Sequence, residues 1–104
     1  MIILVLRMTV QPDKQDEYLR SMQVMMALTS REPGCIHCYM YESDKEENTF
    51  ILVQEWESGV HLDWYIHRNT FKSLLRSRNL ASGRPHVSIF PAFLKTGLDT
   101  RCAS

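Results

Sequence analysis

Glu32-Pro33-Gly34-Cys35-Ile36-His37-Cys38-Tyr39-Met40-Tyr41-Glu42, followed after a polar interval by Thr49-Phe50-Ile51-Leu52-Val53-Gln54-Glu55-Trp56-Glu57-Ser58, decides the fold of this chain. Pro33-Gly34 ends whatever helix precedes it, since proline lacks an N–H and glycine accepts the left-handed backbone of a helix stop. The aromatic run behind it reads as a strand from about Ile36 to Glu42, Ser43 to Asn48 as a hairpin loop, and Thr49 to Glu57 as the returning strand. On that returning strand Phe50, Leu52, Gln54 and Trp56 share one face, opposite Ile51, Val53 and Glu55.

Working outward, Ile2 to Val10 reads as a buried strand stopped by Pro12. Asp13 is placed to cap a helix to about Arg31, with Asp16 and Glu17 near its positive end and a core stripe of Tyr18, Met22, Met25, Met26 and Thr29. Ser58 is placed to cap a second helical region from Gly59 to about Ser77, broken near Arg68-Asn69, where its apolar residues fall out of phase. Asn79 to Pro85 reads as a loop, His86 to Phe90 as a fourth strand, and the residues from Lys95 as an arm-like tail. The fold class is therefore α+β, a ferredoxin-like βαββαβ with an antiparallel sheet, organised as one domain over 1–95 and a tail over 96–104. Two helices cover one face of such a sheet, yet Ile3 beside Leu4 and Ile51 beside Leu52 make both faces apolar, which predicts a homodimer.

Twelve basic and twelve acidic residues cancel in the 104-residue chain and are interspersed, so neither a nucleic acid nor an anionic membrane is an expected partner. A small neutral ligand or another protein fits better. The longest apolar run, Met1 to Leu6, is too short to span a bilayer and lacks the features of a signal peptide, so the expected location is the cytoplasm. Cys35 and Cys38 form a C-x-x-C; on a regular strand, side chains three apart point to opposite faces, which predicts structural thiols and no metal site. Cys102, in the polar tail, is expected to be a free, exposed thiol.

Glu32-Pro33-Gly34-Cys35-Ile36, a strand closing on Gln54-Glu55-Trp56-Glu57-Ser58, Phe71 fifteen residues past that tryptophan, and Leu6 to Lys14 running from strand into Pro-turn and helix together resemble the antibiotic biosynthesis monooxygenase family. The likeness covers roughly residues 1 to 95. It implies two subunits closing a dimeric α+β barrel and, in some members, cofactor-independent oxygenation of quinols and polyketides. By resemblance Trp56 lines a cavity with Leu52 and Gln54, although filling a barrel end suits the same side chain. The chain departs from the family where an acid gives way to Gln54 and two helix histidines to Tyr65 and Thr70. Where the actinorhodin-pathway branch keeps polar groups it has Leu52 and Leu62, and where the haem-degrading branch binds haem it has Leu6 and Leu75. No cofactor and no metal are therefore expected.

If the second and third strands pair with residue numbers summing to an odd value near 91, His37 sits beside Gln54 and shares the Trp56 face with Tyr39 and Tyr41. The expected catalytic residues are then His37, a base suited to neutral pH, and Trp56. Leu6, Tyr39, Leu52, Gln54, Trp56, Tyr65 and His67 are the expected substrate contacts, with solvated surface roles the alternative for His61 and His67. The expected activity is cofactor-independent monooxygenation of a quinol, polyphenol or similar aromatic. The alternatives are a non-catalytic dimeric barrel that binds a small apolar metabolite, and an isomerase or lyase of a small oxygenated one.

Overall fold

Alternation of large apolar side chains makes Ile2–Thr9 the central strand β1: Leu4, Leu6 and Met8 point to one face and are buried, while Ile3, Val5 and Thr9 on the other are half-buried. The computed structural model describes residues 1–76, 80, 82, 83 and 85–91. Along them follow α1 (Gln15–Ser30), β2 (Cys35–Glu42), β3 (Thr49–Trp56), α2 (Gly59–Ile66), α3 (Asn69–Arg76) and β4 (His86–Pro91). The strands form one antiparallel sheet in the order β2-β3-β1-β4, the ferredoxin-like arrangement the sequence predicts. The expected tail, with Cys102, lies outside the described residues.

The helical break comes where expected, after Ile66 and before Asn69. The start of α1 differs. Pro12–Lys14 form a 3-10 turn with Pro12 in its first positions, so Asp13 lies inside that turn, and α1 begins at Gln15 without a side-chain cap. Tyr18, Met22 and Thr29 of α1, Leu62 and Tyr65 of α2, and Leu74 of α3 bury against Leu4, Leu6, Met8 and Val10 and against Phe50, Leu52 and Trp56. Apart from Thr49, whose hydroxyl lies 3.0 Å from that of Thr9 on the other face, the fully buried sheet residues thus face the helices. The opposite face carries half-buried Ile3, Val5, Ile51 and Val53, with Arg7 paired to Glu46 at its rim.

One irregularity decides which residues share a face. Cys35 pairs with Trp56, but His37 pairs with Glu55 and Cys38 with Gln54, so Ile36 is an extra residue in a β-bulge. Beyond it the paired numbers sum to an even value (39 + 53 = 92), and the expected odd register holds only at Cys35. A one-residue slip turns every later side chain to the other face. His37, Tyr39 and Tyr41 therefore belong to the open face, in a row with His37 stacked on Tyr39 at 5.2 Å and Tyr41 tilted against Tyr39 at 6.2 Å between ring centroids, and Cys38 and Met40 to the helix-covered one.

Candidate functional site

The Glu32-Pro33-Gly34 turn fixes one side of the site. Gly34 has φ +84°, a left-handed backbone open to glycine at no steric cost, and a Cβ built there would meet the His61 ring at 2.2 Å from Cγ. His61 is held over that glycine from its own helix. Ser58, extended at φ −154° and ψ 166°, caps α2 by accepting the His61 backbone N–H at 3.3 Å, and its Oγ lies 2.8 Å from His61 Nδ1. Trp64 meets the His61 ring edge-on, with centroids 5.6 Å apart.

Between this turn and α2 opens a cleft of about 500 Å³ lined by Glu32, Pro33, His61, Asp63, Trp64, Tyr65, His67 and Arg68. That is the size of a site for a small organic molecule. The Glu32 side chain is only 8% exposed; Thr70 donates to its Oε2 at 3.0 Å, and Arg68 Nε lies 2.8 Å from Oε1. Among the described residues no N–H is directed at Oε1, so the Arg68 contact is Coulombic. Trp64, by contrast, is 58% exposed and offers a ring to a ligand. His67 donates from Nδ1 to the Asp63 carbonyl oxygen at 2.7 Å, with the Asp63 carboxylate 3.8 Å away.

Beneath the cleft, Tyr65 leads into a buried hydrogen-bond chain. Trp56 Nε1 donates to Gln54 Oε1 at 3.2 Å, and Gln54 Nε2 donates to the Tyr65 hydroxyl at 3.1 Å. That hydroxyl lies 3.1 Å from Thr29 Oγ1, to which it is free to give its own proton, having accepted from Gln54. All four side chains are at most 1% exposed, so the chain satisfies polar groups whose burial would otherwise be costly. Burial raises the Tyr65 phenol above its ordinary pKa, and its hydrogen bonds with Thr29 and Gln54 pull it partly back. The Trp56 and Tyr65 rings are 4.5 Å apart, and Phe71 meets Tyr65 edge-on at 5.3 Å.

The sequence model of the antibiotic biosynthesis monooxygenase family matches residues 1–76. The chain belongs to that family. Among curated relatives, "Uncharacterized protein sll1783" of Synechocystis is 28% identical over 82 residues, a match covering 78% of this chain and 56% of the relative, so the chain spans about half the length of that protein. "Putative monooxygenase YcnE" of Bacillus subtilis is 32% identical over 65 residues, covering 62% of this chain and 68% of YcnE. Among solved structures, SnoaB, a cofactor-independent oxygenase from Streptomyces nogalater, superposes with a TM-score of 0.78 at 15% identity, covering 92% of this chain and 96% of SnoaB. The same α+β fold is thus found in antibiotic biosynthesis monooxygenase structures.

Within this family member the residues expected at the site divide into three places. Trp56, Gln54, Leu52 and Leu6 do lie together on the helix-covered face, Leu6 opposite Leu52, but all are fully buried in the packed core. Tyr65 is the member of that layer that also lines the cleft, where His67 joins it. His37 and Tyr39 are on the open face, exposed and paired with Glu55 and Val53; the bulge at Ile36 is the physical reason they do not join Trp56. Glu32, His61, Trp64 and Arg68 were not expected there. The available sequence signal was Ser58-x-x-His61, a cap followed three residues on by a group able to bond back to it, as in a capping box.

Proposed function

We infer that the protein is a monooxygenase that binds a small aromatic molecule with an ionisable hydroxyl, a quinol or polyphenol, over Tyr65 and beside Trp64. The observation that carries this reading is His67. A carbonyl oxygen can only accept, so the Asp63 carbonyl holds the neutral ring's proton on Nδ1 and leaves Nε2 as the basic nitrogen. His61 takes the complementary part: the Ser58 hydroxyl, already accepting from the His61 backbone N–H, is placed to donate to Nδ1, which leaves Nε2–H as a donor. A substrate hydroxyl gives its proton to His67, and His61 Nε2–H with the outer guanidinium of Arg68 stabilises the resulting oxyanion. The electron-rich anion passes one electron to dioxygen, the radical and superoxide couple to a peroxide, and loss of water leaves an oxygenated quinone. One oxygen atom stays in the product and the other leaves as water. The substrate supplies every electron, so no metal or flavin donor is required.

The test is oxygen uptake with a panel of quinols, with product mass as the second readout. Uptake with a gain of one oxygen supports the reading; bound quinol without uptake supports a non-catalytic binder, which the leucines Leu6 and Leu52 in the core layer favour, and isomerised product of unchanged mass an isomerase. His67→Gln keeps a hydrogen-bonding side chain but cannot take a proton, and should cost roughly 10²–10⁴-fold in turnover with little change in affinity. Unaltered turnover removes His67 from the reaction. A homodimer closed over Ile3, Val5, Ile51 and Val53 belongs to the same proposal, since it would bury the apolar face the helices leave open.

A further inference from the structure

The reaction leaves Cys35 and Cys38 unused. On a regular strand they would point apart, but the bulge at Ile36 sets both on the helix-covered face, opposite Trp56 and Gln54. Adjacent same-face positions on a strand are about 6.6 Å apart. That is near the long limit of what a disulfide spans, about 6.8 Å between Cα atoms. An ion bonded to each sulfur at about 2.3 Å holds the sulfurs up to about 4.6 Å apart and bridges the pair without moving the strand.

The surroundings are soft and negative. Met40 occupies the next same-face position, opposite Leu52. α1 packs on β2, and its Met25 and Met26 join Cys35, Cys38 and Met40 in the half-buried layer against the core, with Met22 inside it. Four of the six methionines of the chain thus lie on these two elements. The carboxylates of Glu32, itself ion-paired with Arg68, and of Glu55 are near enough to act on the Cys35 thiol. Among the described residues no three of His, Cys, Asp or Glu converge as a metal set, which disfavours four-coordinate zinc, whereas thiolates and thioethers select soft ions such as Cu(I).

The geometry points to a binding site for a soft monovalent cation, Cu(I) or its analogue Ag(I), held by the Cys35 and Cys38 sulfurs with Met40 as the third donor. The site is independent of the oxygenase reading. Binding replaces two S–H bonds with two metal–sulfur bonds and releases two protons. Burial, the neighbouring Cys35 and, against them, a Gln54 hydrogen bond leave the Cys38 thiol pushed up to about 12, and Cys35 is raised by burial, Glu32 and Glu55. Tyr65 is in turn raised by burial and by the two neighbouring thiols, against its hydrogen bonds with Thr29 and Gln54. Because each of the two metal–sulfur bonds displaces one thiol proton, affinity should weaken by about a hundredfold for each pH unit of acidification.

The experiment is titration of the reduced Cys102→Ser protein with Ag(I) under anaerobic conditions, followed by native mass spectrometry and by proton release in weak buffer. One tightly bound ion per chain and two protons per ion are expected. Cys38→Ser should weaken binding by about a hundredfold or more, and Met40→Leu by about tenfold at unchanged stoichiometry. Circular dichroism checks that the variants fold. Should Cys38→Ser unfold, bound Ag(I) must still protect Cys35 and Cys38 of the Cys102→Ser protein from alkylation. Absence of a tight ion, full affinity in a folded Cys38→Ser variant, or free alkylation of both thiols in the presence of Ag(I) would overturn the assignment.

Discussion

Gly34→Ala tests the packing that builds the cleft. Glycine is required there for two separable reasons: the backbone sits at φ +84°, and a new Cβ would lie 2.2, 2.4 and 2.5 Å from Cγ, Cβ and Cδ2 of His61. The left-handed conformation costs a non-glycine residue about 1–2 kcal/mol. Pushing a well-packed neighbour aside costs about 1–3 kcal/mol more, so Gly34→Ala should lose about 2–5 kcal/mol in all. That is a large part of the roughly 5–15 kcal/mol that stabilises an ordinary domain. Urea unfolding at constant m-value measures it. The second reason can be isolated with His61→Gly; alanine would not serve, because the Cβ of residue 61 is itself one of the clashing atoms. In the His61→Gly background the Gly34→Ala substitution should cost only the backbone part, giving a coupling of about 1–3 kcal/mol. Equal costs in the two backgrounds would refute the claim that His61 is seated on Gly34, and with it the placement of His61 in the cleft.

Three further outcomes follow from the same geometry. A bound aromatic compound should quench or shift the fluorescence of half-exposed Trp64 and leave fully buried Trp56 nearly unaffected, so Trp64→Phe should abolish most of the signal; a response that survives there and vanishes in Trp56→Phe would place the ligand inside the core. Gln54→Leu removes the middle of the buried chain, orphaning the Trp56 N–H, and should cost about 1–3 kcal/mol in denaturant unfolding, whereas an unchanged midpoint would mean the chain contributes nothing to stability. Val53→Asp, on the open face, should yield a folded monomer by light scattering where the unaltered protein should be a dimer; a monomeric unaltered protein at micromolar concentration would sink the dimer proposal.

The fold was legible because its signals are local and redundant. The Thr49–Trp56 alternation, the Pro33-Gly34 stop and the phase break before Asn69 each have one structural solution, and the structure adopts it. The site was less so, for one reason of parity. His37, Tyr39 and Tyr41 form an aromatic series with period two, and Cys38 and Met40 form a sulfur-bearing one on the other face, so composition alone does not say which series faces the helices. The unheeded sign was the spacing of Cys35, Cys38 and Met40: a step of three and then of two breaks the strand period where the bulge lies. Capping failed at Asp13 for a comparable reason, since Pro12 opened a 3-10 turn that took the aspartate inside it. His61 reads from the sequence as a solvated helix residue because its placement depends on a contact with Gly34, across the β2–β3 hairpin that separates them.

The strand order β2-β3-β1-β4 also sets how the molecule is assembled and where it loosens. Among the described residues only β2 and β3 are joined directly by a hairpin; β1, which pairs with β3 from Ile2 opposite Trp56 to Thr9 opposite Thr49, must find its partner across α1 and β2. Closing that long loop is entropically expensive and belongs to the slow part of folding, whereas the hairpin can form early. β4 docks later in the chain on β1 alone, and its Val87, Ile89 and Phe90 keep 39%, 51% and 45% of their surface in solvent. Within one subunit it has the least to lose by detaching, so its amides should be the first of the sheet to exchange with deuterium, well before those of β1 and β3.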